Sequence, residues 1–192
     1  MGSSQADKAA SHERIVKTAS RRMRRDGIDS ISVVELMNEA GLTHGGFYRH
    51  FGSRDDLVAE AIDTALAQGS ERIKAAAKLG GPAALAAIID GYLSPLHRDK
   101  PETGCAVAAL PADIARSNPR ARTAYSRQVR SYIGLIDGLT PARDPDEAHL
   151  ILAVLVGALV LARAVDDRGL SDEILESAAR ALHRHVGDGR KL

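Results

Sequence analysis

The sequence predicts an all-α protein: a small N-terminal helix-turn-helix domain of three helices, then a larger C-terminal helical domain. Three observations carry this. Residues 32–51 hold two short apolar-striped segments that meet at Gly41. Elsewhere apolar residues recur at three- and four-residue spacing, and no period-two alternation survives. Helix-opening signals punctuate the chain at Ser53 to Asp56, Gly80-Gly81-Pro82, Asn118-Pro119 and Asp144-Pro145. With 192 residues, 44% hydrophobic and 27% charged, the chain can bury a sizeable core.

Residues 1–7 are small and polar and read as a flexible arm or an appended remnant. A first helix is expected over about Lys8 to Arg25, with Ile15, Ala19 and Met23 as its buried stripe and Gly27 as its end. Arg21, Arg22, Arg24 and Arg25 then read as its solvated end, where cations complement the carbonyl pole, with phosphate contact as the alternative. Ser32 and Glu35 stand at capping-box spacing, so a second helix should start near Val33. Leu36, Met37 and Ala40 make its stripe, and Gly41 takes the left-handed conformation that ends it. Leu42 plugs the angle, Thr43 caps a third helix, and Phe47 with Phe51 anchors that helix from below. Its outward face is Thr43, His44, Gly45, Gly46, Tyr48, Arg49 and His50.

Ser53 and Asp56 repeat the capping spacing and open a long fourth helix through Leu57, Ile62, Leu66 and Ile73 toward Lys78. Pro82 opens a fifth, with Leu85, Ile88, Ile89, Tyr92 and Leu93. Residues 94–104 read as a loop. A sixth helix follows from Cys105, kinked or ended by Pro111, and Asn118-Pro119 opens a seventh. Asp144-Pro145-Asp146-Glu147 begins an eighth, in which Leu150 to Ala162 lack any polar side chain. That run falls short of the roughly 20 residues a bilayer needs, so no membrane partner is expected. A helix apolar all round must be covered all round, one face by its own domain and the other by a second subunit. Ser171-Asp172-Glu173 opens a ninth, striped by Ile174, Leu175, Ala178, Leu182 and Val186. The Leu150–Ala162 and Ile174–Val186 helices of two subunits would make a four-helix homodimer interface.

A helix-turn-helix usually reads DNA, and the outward face suits a duplex. Adjacent glycines in a short helix cost about 1 kcal/mol each against Ala, which a close approach of backbone to ligand would justify. Tyr48 and His50 are placed on phosphate, and His44 and Arg49 are candidates for bases. The net charge is only +1, but nine basic residues stand against five acidic ones between Lys8 and Arg54. A single cysteine excludes an internal disulfide, and the N-terminus shows no apolar signal segment. A bacterial cytoplasm fits both.

Arg14-Ile15 through Gly27, Ser32-Val33, Ala40 to Thr43, Gly46 to Phe51 and Ser53 to Leu57 together resemble the N-terminal DNA-binding domain of the TetR family of transcriptional regulators. Gly104 to Leu110 and Gly157 to Arg163 resemble segments of the ligand-binding half in one branch of that family. Two positions depart: Arg22 stands where the family usually has an apolar residue, and Arg54 where Lys is common. The resemblance implies a DNA-binding domain over 8–52 and a ligand-binding and dimerisation domain over 53–192. It implies double-stranded operator DNA as partner, met by Ser32, Thr43, His44, Gly45, Gly46, Tyr48, Arg49, His50 and Arg54. It also implies a small-molecule effector, most simply one that releases a repressor, with no cofactor, no metal and no enzymatic activity.

The sequence adds effector-site candidates. Tyr92, Tyr125 and Tyr132 offer hydroxyls to an otherwise aliphatic pocket, and Val129 and Cys105 complete the set; satisfied core tyrosines are the competing reading. His97 reads as an ordinary loop histidine. Cys105 is either a small buried hydrophobe or, at a helix start, a thiol that senses oxidants or electrophiles. A helical thiol enzyme or a protein-binding adaptor are the readings from other classes. The adaptor does not explain Gly45 and Gly46, and against the enzyme no nucleophile motif surrounds Cys105.

Overall fold

The computed structural model describes residues 5–140 and 145–188, and every regular element among them is helical. Helix α1 spans Gln5–Asp26, so part of the expected arm is helical; residues 1–4 lie outside the described residues. Ile15, Ala19 and Met23 are fully buried. Gly27 stops α1 at φ 86°, and a 3-10 turn over Ile28–Ser30 leads into α2, Val33–Glu39.

The Ser32 side chain accepts the Glu35 N–H at 3.5 Å. The reciprocal half of the capping box is not made, because Arg22 claims the Glu35 carboxylate and the Ser32 N–H goes to the Ser30 carbonyl. Arg22, the departure noted above, thus bridges α1 to Glu35 and Glu39 of α2. Gly41, at φ 71°, turns the chain as expected. The third helix is corrected: His44–Arg49 is a six-residue 3-10 segment without a side-chain cap from Thr43. Two glycines in so short a piece weaken α-helix, and 3-10 turns are common in short pieces.

Helix α3, Arg54–Ala77, starts at Ser53, whose hydroxyl accepts the Asp56 N–H at 3.1 Å. It packs on α1, α4 and α8, and so runs through both halves. Gly80 and Gly81, both at positive φ, turn the chain into α4, Gly81–Tyr92. The loop expected over 94–104 is instead a short helix, α5 (Pro95–Asp99), and a 3-10 turn, Pro101–Thr103. Ser94 caps α5 by accepting the His97 N–H at 3.2 Å, and Pro95 sits in its first turn. Pro111 divides α6, Ala106–Ala109, from α7, Pro111–Ala115. Asn118 accepts the Ala121 N–H at 3.0 Å and starts α8, Pro119–Asp137.

Helix α9 spans Pro145–Ala164; the cap expected at Asp144 lies outside the described residues. Over Asp146–Ala164 it is long and apolar enough, by length and composition, to cross a membrane, which corrects the shorter estimate from its polar-free run. Yet α9 packs on α8, α10 and α6, with Ile151, Leu155 and Leu159 in the core. Helix α10, Arg168–Asp188, begins three residues before the expected Ser171. Asp167 is the residue that caps it, accepting the Gly169 and Leu170 N–H groups at 2.8 and 3.2 Å. Ser171 is buried inside the first turn and donates to the Ala162 carbonyl at 2.6 Å.

The arginine cluster at the end of α1 also needs correction. Arg24 is buried and donates to the Glu102 carbonyl at 3.0 Å, the Ala65 carbonyl at 3.2 Å and Gln68 Oε1 at 3.1 Å. It ties α1 to α3 and to the turn after α5.

Candidate functional site

The 3-10 segment His44–Arg49 is held from within by Phe47, which is 1% exposed and packs at 5.4 Å between centroids on buried Phe51. Around that anchor, Thr43, His44, Gly45, Tyr48 and Arg49 face solvent, and Tyr48 is 74% exposed. A Cβ added at Gly45 would meet nothing within 4 Å, whereas one at Gly46 would touch Met37 and Thr43 at ordinary contact distance. Internal packing therefore does not require a glycine at 45.

His50 is half-buried, with Nδ1 unpartnered among the described residues. Burial, with His12, Lys8 and Arg49 nearby, holds its imidazole below the ordinary value, so it is mainly neutral at pH 7. Beside it, His12 stacks on Phe51 at 4.5 Å and meets Glu60 Oε2 at 2.7 Å. A recess of about 520 Å³ is lined by Lys8, Ser11, Thr43, Gly46, Arg49 and His50. Lys8 and Ser11, at the start of α1, were not among the sequence candidates. No local pattern marks them, because it is the packing of α1 across the 3-10 segment that brings them there.

Two candidates have internal work. Ser32 Oγ accepts the Glu35 N–H at 3.5 Å, and its own O–H stays available to donate. Arg54 is half-buried and donates from Nε to the Ile31 carbonyl at 3.0 Å and from Nη2 to the Ile28 carbonyl at 3.1 Å. Arg54 thus clamps the turn before α2.

In the larger half, the effector-site candidates separate. Cys105 Sγ donates to the Tyr132 hydroxyl at 3.7 Å, and both residues are buried. The Tyr125 hydroxyl donates to the Val107 carbonyl at 2.8 Å, and burial pushes its phenol up to about 12. Val129 packs against the core, half-buried. Tyr92 and Cys105 line a cavity of about 80 Å³, to which Tyr125, Val129 and Tyr132 do not contribute. His97 is corrected from a loop residue to a buried bracket. Its Nδ1 meets the Tyr92 carbonyl at 2.8 Å, and its Nε2 accepts the Cys105 N–H at 3.0 Å. Cys105 precedes a helix of only four residues and is 3% exposed, so it packs as a small hydrophobe.

A small helical scaffold that presents an aromatic-anchored segment outward is the arrangement of a helix-turn-helix domain. Residues 15–61 match the sequence profile described as "Bacterial regulatory proteins, tetR family". A Mycobacterium tuberculosis protein described as an uncharacterized HTH-type transcriptional regulator is 29% identical over 167 residues, covering 81% of this chain and 85% of that protein. A TetR transcriptional regulator from Chloroflexus aurantiacus superposes with a TM-score of 0.82 at 24% identity, covering 95% of this chain and 97% of that one. E. coli NemR, solved in its reduced form, superposes with a TM-score of 0.76 at 19% identity, covering 90% and 95%. These two likenesses establish the fold. Residues 15–61 thus carry the DNA-binding domain of the TetR family of bacterial transcriptional regulators, and most of the chain is similar to a regulator of the helix-turn-helix type.

Proposed function

We propose that this regulator is a cytoplasmic repressor, that it binds a palindromic operator as a homodimer, and that a small molecule held by the larger domain releases it. The division at residues 52 and 53 is kept for the two roles. The observation that carries the DNA reading is Gly45, exposed on the 3-10 segment with no neighbour to exclude a side chain. The segment enters the major groove, with His44 and Arg49 at base edges and Tyr48, His50, Lys8 and Ser11 along the phosphates.

Dimerisation is supported by what α9 leaves uncovered. Leu150, Ala153 and Leu161 are exposed, and Val154, Gly157 and Val160 are half-buried, at three- and four-residue spacing down one face. A Cβ at Gly157 would meet nothing within 4 Å. On α10, Leu170 is exposed and Ile174 and Ala178 are half-buried. An apolar stripe of this kind is covered by a second copy, and two-fold pairing of helices satisfies it. An effector acts on DNA binding only if it prefers the dimer geometry in which the two reading segments are wrongly spaced.

Gly45→Val tests the DNA reading. The variant should melt with the wild type, since the added methyls enter open space, yet lose duplex binding in a gel shift. Undiminished binding by a folded Gly45→Val protein would place the DNA surface elsewhere.

A further inference from the structure

The cavity at Tyr92 lies among α3, α4 and the turn before α6, with walls that include Ile73, Ile88, Gly91, Tyr92, Gly104 and Cys105. Among the described residues, no Lys, Arg, Asp or Glu lines it. The histidine that does line it, His97, is neutral by the logic of its partners: a carbonyl can only accept, so Nδ1 carries the proton, and Nε2 receives the Cys105 N–H without one. An anion placed here would lose its hydration and meet no cation on the described walls.

One polar group is unspent. The Tyr92 hydroxyl is buried and makes no hydrogen bond among the described residues, a state that ordinarily costs a donor its hydration for no return. Burial, with the Cys105 thiol beside it, holds the phenol well above its ordinary value, so at any physiological pH it is a donor beside a sulfur that accepts only weakly. At the other end, Gly91 stands exposed at the mouth of the cavity, in the last turn of α4. Its backbone is not left-handed, and a Cβ there would meet nothing within 4 Å. Neither conformation nor packing explains it, and an open entrance does.

We infer that this cavity takes a small neutral molecule, an apolar body carrying one hydrogen-bond acceptor such as a carbonyl oxygen, which enters past Gly91 and accepts from the Tyr92 hydroxyl. The inference rests on the larger domain being the effector-binding half, and it names the chemical class of the effector. At about 80 Å³ the cavity admits only a few non-hydrogen atoms, well below a drug-sized site.

The test is titration calorimetry of the full-length protein with three probes of like size: cyclopentanone, cyclopentane and cyclopentanecarboxylate. Cyclopentanone should bind saturably and more tightly than cyclopentane, and the carboxylate should not bind. Tyr92→Phe should weaken cyclopentanone by roughly tenfold, the worth of one hydrogen bond, and leave cyclopentane unchanged. Gly91→Phe, which plugs the mouth, should abolish both. Carboxylate binding as tight as the ketone's, an unchanged ketone affinity in Tyr92→Phe, or no saturable ketone binding by the wild type would each overturn the assignment. A gel shift at saturating cyclopentanone separates the two levels of the reading. Bound ketone with DNA retained upholds the cavity chemistry and sinks the effector role.

Discussion

Asp113 Oδ2 accepts the Ile28 backbone N–H at 3.2 Å across 85 residues of sequence, joining α7 of the larger domain to the turn that leads into α2. The same turn is gripped from α3, because Arg54 donates to the Ile28 and Ile31 carbonyls. Gly27, next to it, suits glycine alone: its φ of 86° strains any side chain, and a Cβ would stand a tight 3.2 Å from the Asp113 carboxylate. Both α7 and α3 thus hold the turn that leads into α2.

Asp113→Ala removes that acceptor and leaves a partly buried N–H unsatisfied, at a cost of about 1–3 kcal/mol. Chemical denaturation should show a loss in this range, and hydrogen exchange should show the Ile28 amide opening faster. Unchanged exchange at Ile28 would mean that the contact does not persist in solution.

His50 gives a pH dependence whose sign is fixed. Its folded-state value is depressed by burial and by His12, Lys8 and Arg49, so the unfolded chain takes up the proton first as pH falls. The stability this site contributes is present above about pH 6.5, the unperturbed value, and is lost as pH drops through the lower folded value. Denaturation midpoints at pH 7 and pH 5.5 should differ less in His50→Gln than in the wild type. Equal slopes in the two proteins would remove His50 as a cause.

The two faces of α9 predict different failures. Leu161 is 57% exposed and Leu155 is 1% exposed. Leu161→Glu should give a folded monomer by circular dichroism and sedimentation, with DNA affinity falling as half-sites bind singly. Leu155→Glu buries an unpaired charge inside the subunit and should fail to fold at all. A dimeric Leu161→Glu protein would move the interface off this stripe.

Much of this architecture was legible because it is local. The Ile15, Ala19 and Met23 stripe, the Gly41 turn and the Asn118-Pro119 start each depend on residues within a turn or two of one another. Ser94-Pro95 carries the same cap-and-proline signature as Asn118-Pro119, and α5 was legible on those grounds, but two nearby prolines gave it the look of a loop. What stayed hidden is long-range. Arg24 looked solvated because its acceptors, the Glu102 and Ala65 carbonyls, lie 78 and 41 residues away. His97 looked idle for the same kind of reason, since its role is set by the carbonyl of Tyr92 and the N–H of Cys105. Of the effector-site candidates, Tyr92 and Cys105 share a cavity, and Tyr125 turned its hydroxyl to a backbone carbonyl that no spacing rule foretells. The charge of Arg54 was visible, and its commitment to the Ile28–Ile31 turn was not.

Selection of bound fragments from sheared genomic DNA, at a stated salt concentration, tests the central claim most directly. A dimer that places two His44–Arg49 segments in the major groove should retain fragments sharing a palindrome, with half-sites about one helical turn, roughly 10 base pairs, or a multiple of it apart. Leu161→Glu and Gly45→Val should not recover them. Recovery of fragments with no two-fold symmetry, or no enrichment over bulk DNA by the wild-type protein, would contradict the account.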